Sequence, residues 1–226
     1  MSLHLSQDLD EAHNSLLKLS GQVEDMIALA VKSLVERRGS LAGEVIQRDT
    51  EIDRAEVRIE EECLKMLALH QPVAADLRRI TTMMKVNNDL ERIADLACNI
   101  AQRADSLCQL PEFPIPSGIN EMATMITKMV RSSLDAFVHR DIELAKSVIE
   151  QDDPVDAKNV QVIEKLSQLM SEDTSKIVAA LHCFSASRHL EQIADHAVSI
   201  AEDIIYMVEG VIIRHRQASQ PKTQSR

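Results

Sequence analysis

The sequence predicts an all-α fold built as two tandem, pseudo-symmetric antiparallel three-helix bundles. Three observations carry that reading. The 226 residues include 5 Gly, 6 Pro, no Trp, 1 Tyr and 3 Phe, too few of the turn, aromatic and β-branched residues on which strands draw. Three prolines fall within six residues in "LCQLPEFPIPSG", where each removes a backbone donor and forbids a continuing helix. The stretches on either side of that break resemble one another, as a duplicated unit would. Residues 90–104 and 190–204 share 8 identities in 15, and "VIQRDTEID" is matched in layout by "VIEQDDPVD".

The break divides the chain into a first three-helix repeat over 1–108, a proline-rich linker over 109–118, and a second three-helix repeat over 119–213. The remainder, 214–226, carries bases and no acid and reads as a disordered tail. The predicted helices cover 5–37, 40–70 and 73–107, then 120–139, 141–170 and 173–210. In the first, Val23, Met26, Ile27, Ala30, Val31 and Leu34 recur at helical spacing and form an apolar stripe. Pro72 is expected in the first turn of the third helix, where a missing donor costs nothing. Gly39, Gly118 and Gly210 are expected at or beyond helix ends as left-handed caps.

A formal charge of -11 disfavours nucleic acid, whose backbone is held by clustered cations. No apolar run approaches the length of about 18 residues that crosses a bilayer, and the acidic start does not resemble a secretory signal. Both features predict a cytoplasmic chain without membrane insertion. Cys63, Cys98, Cys108 and Cys183 form no C-x-x-C pair and fall in apolar phase, so they are expected in the core as small hydrophobes.

The seams of the bundles carry the unusual chemistry. Val45, Ile52, Ile59 and Met66 are spaced seven apart, as are Val148, Val155, Val162 and Leu169, and each row marks a helix face turned into its bundle. The complementary seam position is Asp49 in one repeat and Asp152 in the other, each followed at i+4 by a second acid, Asp53 and Asp156. On the third helices Glu91 shares a phase with Leu77, Met84 and Cys98, and Glu191 with Ile177, Phe184 and Val198, with Asp95 and Asp195 following at i+4. Folding the second and third helices about Gln71 and Pro72 brings Asp49/Asp53 level with Glu91/Asp95. The same operation about Asp173 and Thr174 joins Asp152/Asp156 to Glu191/Asp195.

Four carboxylates on one patch repel one another, and protonation, basic partners or a multivalent cation must offset the repulsion. Arg48, Arg54, Arg92 and Arg188 are candidate partners, but none recurs in the other repeat: Gln151, Ala157 and Gln192 replace the first three. Oxygen-only ligands select hard cations, favouring iron(III), manganese, magnesium or calcium and admitting zinc. His182, His189 and His196, spaced seven apart, form a histidine stripe that reads as structural rather than ligating.

The duplicated "LERIADLACNIA" and "LEQIADHAVSIA", with "QRDTEIDRAEVRIEEECLKMLALHQPVAADLRRI" and "SGQVEDMIALAVKSLVERR", resemble the PhoU family of phosphate-uptake regulators. The resemblance covers nearly the whole chain. It implies two pseudo-symmetric three-helix bundles whose E(D)-x-x-x-D pairs bind metal ions or iron clusters, with Asp49, Asp53, Glu91 and Asp95 as ligands in one repeat and Asp152, Asp156, Glu191 and Asp195 in the other. It also implies a non-enzymatic, commonly dimeric protein that damps the phosphate-starvation response with a Pst-type phosphate ABC transporter and a PhoR-type sensor kinase. This chain departs from the family's L-E-R-I-G-D pattern at Ala94, Ala194 and Gln192. Two further readings are a carboxylate-bridged di-metal oxidase and a purely structural helical protein with incidental metal. The first of these commonly uses Glu-x-x-His pairs, which the acidic patches lack.

Overall fold

The computed structural model describes residues 3–213, so the tail predicted over 214–226 lies outside the described residues. Seven α-helices follow in order: α1 Leu3–Val35, α2 Gly39–His70, α3 Ala74–Cys108, α4 Ser117–His139, α5 Ile142–Ile149, α6 Asp152–Glu172 and α7 Ile177–Glu209, with a 3-10 turn over Thr174–Lys176 before the last. There is no strand among the described residues. Helices α1 to α3 form the first bundle and α4 to α7 the second.

The two bundles share one core. Helices α3 and α7 pack together more extensively than any other pair, and the buried apolar residues of both repeats form a single cluster. Ala94, Ala97, Ala101 and Ala104 on α3, with Ala186, Ala194, Ala197 and Ala201 on α7, are all fully buried, and small side chains allow helix axes to come close. The alanines that replace the family's glycines at 94 and 194 are therefore accommodated, while gaining helix propensity over glycine of about 1 kcal/mol each. Polar contacts cross the same junction. Lys85 Nζ donates to the buried Asp203 carboxylate at 3.1 Å and lies over the Tyr206 ring. The His196 ring and Asp89 share a hydrogen bond of 2.9 Å. Between α1 and α4, His13 stacks on Phe137.

Within each bundle the predicted seams are buried: Val45, Ile52, Ile59 and Met66 in α2, and Val148, Val155, Val162 and Leu169 across α5 and α6. The hairpin register also appears in one contact, since the Asn87 amide donates to the Glu56 carbonyl at 2.9 Å and the two residues stand equally far from the turn at Gln71 and Pro72. The apolar rows on the third helices are less complete. Leu77 is 40% exposed, and Ile177 and Phe184 are each 38% exposed. A seven-residue row drifts around a straight helix by about 20° per heptad, which carries its outlying members off the seam.

Three local expectations are corrected. The predicted helix over 141–170 is broken into α5 and α6 at Glu150 and Gln151. Pro154 has no N–H to reach the carbonyl of Glu150 and its ring crowds that carbonyl, so a new helix starts with the proline in its first turn. Pro72 precedes α3 rather than joining its first turn, with Val73 extended as the N-cap. Among the three glycines only Gly210 has a left-handed backbone, at φ 72°; Arg37, Gln71 and Arg140 take left-handed conformations instead, whereas Gly39 and Gly118 lie in the first turns of α2 and α4. Arg37 also donates to the carbonyls of Leu107, Leu110 and Pro111, tying the linker to the end of α1.

Gly118 is required for closeness rather than for turning. A Cβ there would stand 2.7 Å from Val162 Cγ2 on α6, while one at Gly43 in α2 would meet nothing within 4 Å. Gly118→Ala should destabilise the protein by about 1–3 kcal/mol through overpacking, and Gly43→Ala should stabilise it by about 0.5–1 kcal/mol through helix propensity. Urea denaturation of the two variants checks the opposite signs.

Candidate metal centre

In the first repeat α2 presents Asp49 and Asp53, one turn apart, toward α3, which presents Glu91 and Asp95. Asp49 and Glu91 are half-buried and Asp53 is exposed. One Asp49 oxygen, Oδ1, is buried and accepts no hydrogen bond from protein, an arrangement that costs about 1–3 kcal/mol when nothing else supplies a partner. Burial raises the Asp49 carboxyl above its usual range, and the charges of Asp53 and Asp95 push it the same way. Burial raises Glu91 too, aided by Asp95, Asp53 and Glu56 and opposed by Arg92. Cys98 lies beneath this patch: its thiol is pushed up to about 11 by burial and then by Asp49, Asp95 and Asp53. The four predicted acids thus share one electrostatic neighbourhood.

In the second repeat Asp152 opens α6, with Asp153 beside it and Asp156 one turn on, facing Glu191 and Asp195 of α7. The N-terminus of a helix ordinarily favours a charged carboxylate. Here burial and the neighbouring charges of Asp156, Asp195, Asp153 and Glu191 win, and Asp152 is raised to about 6. Asp195 is exposed, yet crowding by neighbouring atoms removes enough water to raise its carboxyl, reinforced by Glu191 and Asp156 and opposed by His196 and Arg188. The two patches open onto a common cleft of about 330 Å³ between α3 and α7, lined by Arg92, Asp95, Leu96, Asn99, Gln192, Asp195 and His196.

Two of the candidate arginines, which do not recur at matching positions of the repeats, pair with the acids. Arg92 lies 3.5 Å from Glu91 and 3.4 Å from Asp95. Gln192 replaces it in the second repeat, and Arg188, one turn earlier, takes the ion pair with Glu191. That contact leaves the buried Glu191 Oε2 without a well-directed hydrogen bond. Each patch thus has one guanidinium for four predicted carboxylates. Arg48 pairs instead with Glu44. As placed, no three His, Cys, Asp or Glu side chains among the described residues surround a single point closely enough to hold an ion. The donor set suits a hard cation by chemistry and by the orphaned Asp49 oxygen, and repulsion between unneutralised carboxylates favours spreading them.

Two acids escaped sequence reasoning. Glu56 lies one heptad beyond Asp49 and its carboxyl is raised by burial, Glu60 and Asp53; Asp153 flanks Asp152 at the helix break. Heptad phase alone contains the signal for Glu56, since Asp49 and Glu56 occupy the same seam position, as do Asp152 and the buried Asn159. The histidine stripe is structural where its bonds are seen: His196 bonds Asp89, and His189 bonds Ser185 and Gln192. The cysteines expected in the core are buried except for Cys108, which is intermediate.

The raised Asp152 carboxyl fixes a sign. The folded protein holds its proton more tightly than the unfolded chain does, so metal-free protein loses stability through this group as pH rises from the unfolded value of 3.8 to about 6. Asp152→Asn should therefore be more stable than the wild-type chain above pH 6, with the gain vanishing as pH falls toward 4. Chemical denaturation of both proteins in chelator across that range measures the difference.

Comparison with known proteins agrees with this architecture. The family model described as PhoU domain matches residues 16–104 and 119–204, one match per repeat. A phosphate-specific transport system accessory protein PhoU homolog of Pseudomonas aeruginosa is 39% identical over 219 residues, covering 94% of this chain and 90% of that protein. Its namesake in Aquifex aeolicus is 39% identical, covering 96% of this chain and 99% of that protein. The crystal structure of PhoU from Pseudomonas aeruginosa superposes with a TM-score of 0.86 at 38% identity, over 91% of this chain and 99% of that one. The phosphate transport system regulatory protein PhoU from Streptococcus pneumoniae superposes with a TM-score of 0.86 at 26% identity, over 92% and 99%. With both repeats matched and relatives this similar along almost the full length, the chain belongs to the PhoU family.

Proposed function

We propose that this chain is a metal-binding regulatory adaptor that restrains phosphate uptake and the phosphate-starvation response. It acts in the cytoplasm as a homodimer, with a Pst-type phosphate ABC transporter and a PhoR-type sensor kinase as partners. Relatives named as accessory proteins of a phosphate-specific transport system support the regulatory part of this reading. No helix among the described residues is long and apolar enough to cross a membrane, which agrees with an adaptor that docks on a transporter rather than forming part of its pore.

The observation that carries the metal reading is the pair of acid patches, each a neighbourhood of like charge at the edge of an apolar seam with raised carboxyls. Asp49, Asp53, Glu91 and Asp95 hold the ion in one repeat, and Asp152, Asp156, Glu191 and Asp195 in the other. Iron, manganese, magnesium, calcium and zinc all accept such oxygen ligands. Held by these acids, a cation would neutralise the patches and supply a positive charge that an acidic or phosphate-bearing partner could engage. The side chains of this protein set where it lies: Arg92 and Arg188 hold Glu91 and Glu191 in place from the flank, and the Asn87 amide fixes α3 against α2.

Metal analysis of protein purified without chelator tests this directly. The wild-type chain should retain metal and the Glu91→Ala/Glu191→Ala variant should lose most of it; equal content in both removes the proposed centre. In a deletion strain grown on plentiful phosphate, the variant should leave a phosphate-starvation reporter switched on while the wild-type chain represses it.

A further inference from the structure

Helix α2 has a second chemical face. Turned toward α1, away from the acid patch, it borders a cleft of about 430 Å³. Lys18 of α1 and Arg54 and Arg58 of α2 line it together with the Ser15 hydroxyl and the Gln22 amide, over a floor that includes the buried Leu19 and Ile59. Three cations converging from two helices stand out in a chain of net charge -11. None of the three makes an ion pair or hydrogen bond with another described residue, and neither do Ser15 and Gln22 through their side chains. Elsewhere helical hydroxyls commonly bond back to the preceding turn, as Ser20, Ser33, Thr127, Ser133 and Ser187 do.

The duplication supplies an internal comparison. Shifting by the offset that relates Asp53 to Asp156 leads to a cleft of about 420 Å³ between α4 and α6, bordered by Ser117, Glu121, Lys158, Gln161 and Lys165. There the cations are satisfied within the protein: Lys158 bonds Glu121 at 2.8 Å, and Lys165 bonds Gln168 at 3.1 Å. Gln161 replaces Arg58, and Ala157 replaces Arg54. Two clefts of similar size at corresponding places in the repeats thus differ in how their cations are paired. In the first, the donors have been multiplied and left without partners.

We infer that the α1–α2 cleft binds a phosphoryl oxyanion, carried either by free inorganic phosphate or by a nucleoside phosphate. Two guanidiniums one helical turn apart match the paired oxygens of a phosphoryl group, and an ammonium facing them from α1 adds a point charge. The Ser15 hydroxyl and the Gln22 amide add two neutral donors. Glu51 and Glu62 also line the cleft and lower its net positive charge, so they weaken its hold on any anion. The site is independent of the proposed metal centre, since it uses the opposite face of α2 and none of its acids.

Isothermal titration of the full chain in EDTA tests the inference, with inorganic phosphate as probe in one arm and ATP in the other. Saturable binding is expected in at least one arm. Binding in both identifies free phosphate as sufficient, and binding of ATP alone identifies the nucleotide as the source. Arg54→Gln/Arg58→Gln, both at exposed positions, should weaken binding about tenfold or more. Glu51→Gln/Glu62→Gln should tighten it, and Lys158→Gln/Lys165→Gln in the other cleft should leave it unchanged. Absence of saturation in both arms overturns the site, as does an arginine variant that binds like the wild-type chain. The Glu91→Ala/Glu191→Ala protein should bind the probe at least as tightly as the wild-type chain, because losing carboxylates can only relieve repulsion; loss of binding there would place the anion on the acid patches and overturn the cleft.

Discussion

Like charge held beside an apolar seam is the constraint on which this structure depends. The seam positions before and after Asp49 and Asp152 are fully apolar and buried, so the helices cannot rotate to release the acids without exposing Val45 and Ile52, or Val148 and Val155. Fully burying one such side chain is worth about 1.5–3 kcal/mol, and each helix has several. A like-charge pair at i,i+4 costs about 0.2–0.5 kcal/mol. Packing therefore wins, and the acids stay where the seam puts them. The same constraint explains why α3 and α7 are the most deeply engaged helices: each must bury one face in its own bundle and another against its counterpart, leaving only the edge between these faces for charge.

Duplication gave both repeats this geometry, and the repeats then diverged around it. In the first, Asp49 lies within an unbroken α2. In the second, Pro154 forces a restart at Asp152, which places three acids near one helix N-terminus. The restart stabilises them through the free N–H groups, yet burial still raises Asp152 to about 6. The flanking arginine changed position as well, from Arg92 just past the glutamate to Arg188 one turn before it. The two patches are alike in side-chain type and unequal in electrostatics, so a cation would not be held equally by both.

Much of this was legible in the sequence because it depends on periodicity. The rows Val45 to Met66 and Val148 to Leu169, the hairpin register about Gln71 and Pro72, and the gathering of four acids per repeat all follow from counting along a helix. What counting could not reach lies between the bundles. Lys85 with Asp203 and His196 with Asp89 join residues more than a hundred positions apart, through a face of α3 and α7 that no apolar heptad row marks. Arg37, Gln71 and Arg140 took left-handed conformations of the kind expected of glycine; at Arg37, hydrogen bonds to the linker carbonyls offset a local backbone cost of about 1 kcal/mol. The break at Glu150 was readable from Pro154 alone, but the strong seam running through it masked the signal.

A three-helix bundle gives its middle helix in the hairpin two flanks, and α2 uses them for opposite chemistry. The flank against α3 concentrates carboxylates, and the flank against α1 concentrates the cations Arg54, Arg58 and Lys18. Both sets approach along a helix about 10 Å across, a separation similar to the screening length at physiological salt, about 8 Å. Neutralising either flank thus changes the field felt at the other only modestly through solvent, and more strongly through the protein between them, where screening ions do not enter. Removing repulsion between the acids and an incoming anion favours the anion, so a cation on the proposed acid patches and an anion in the inferred cleft would reinforce one another. The physical basis for such coupling would be this shared helix, and reciprocity would then require each ligand to raise the affinity for the other by the same factor.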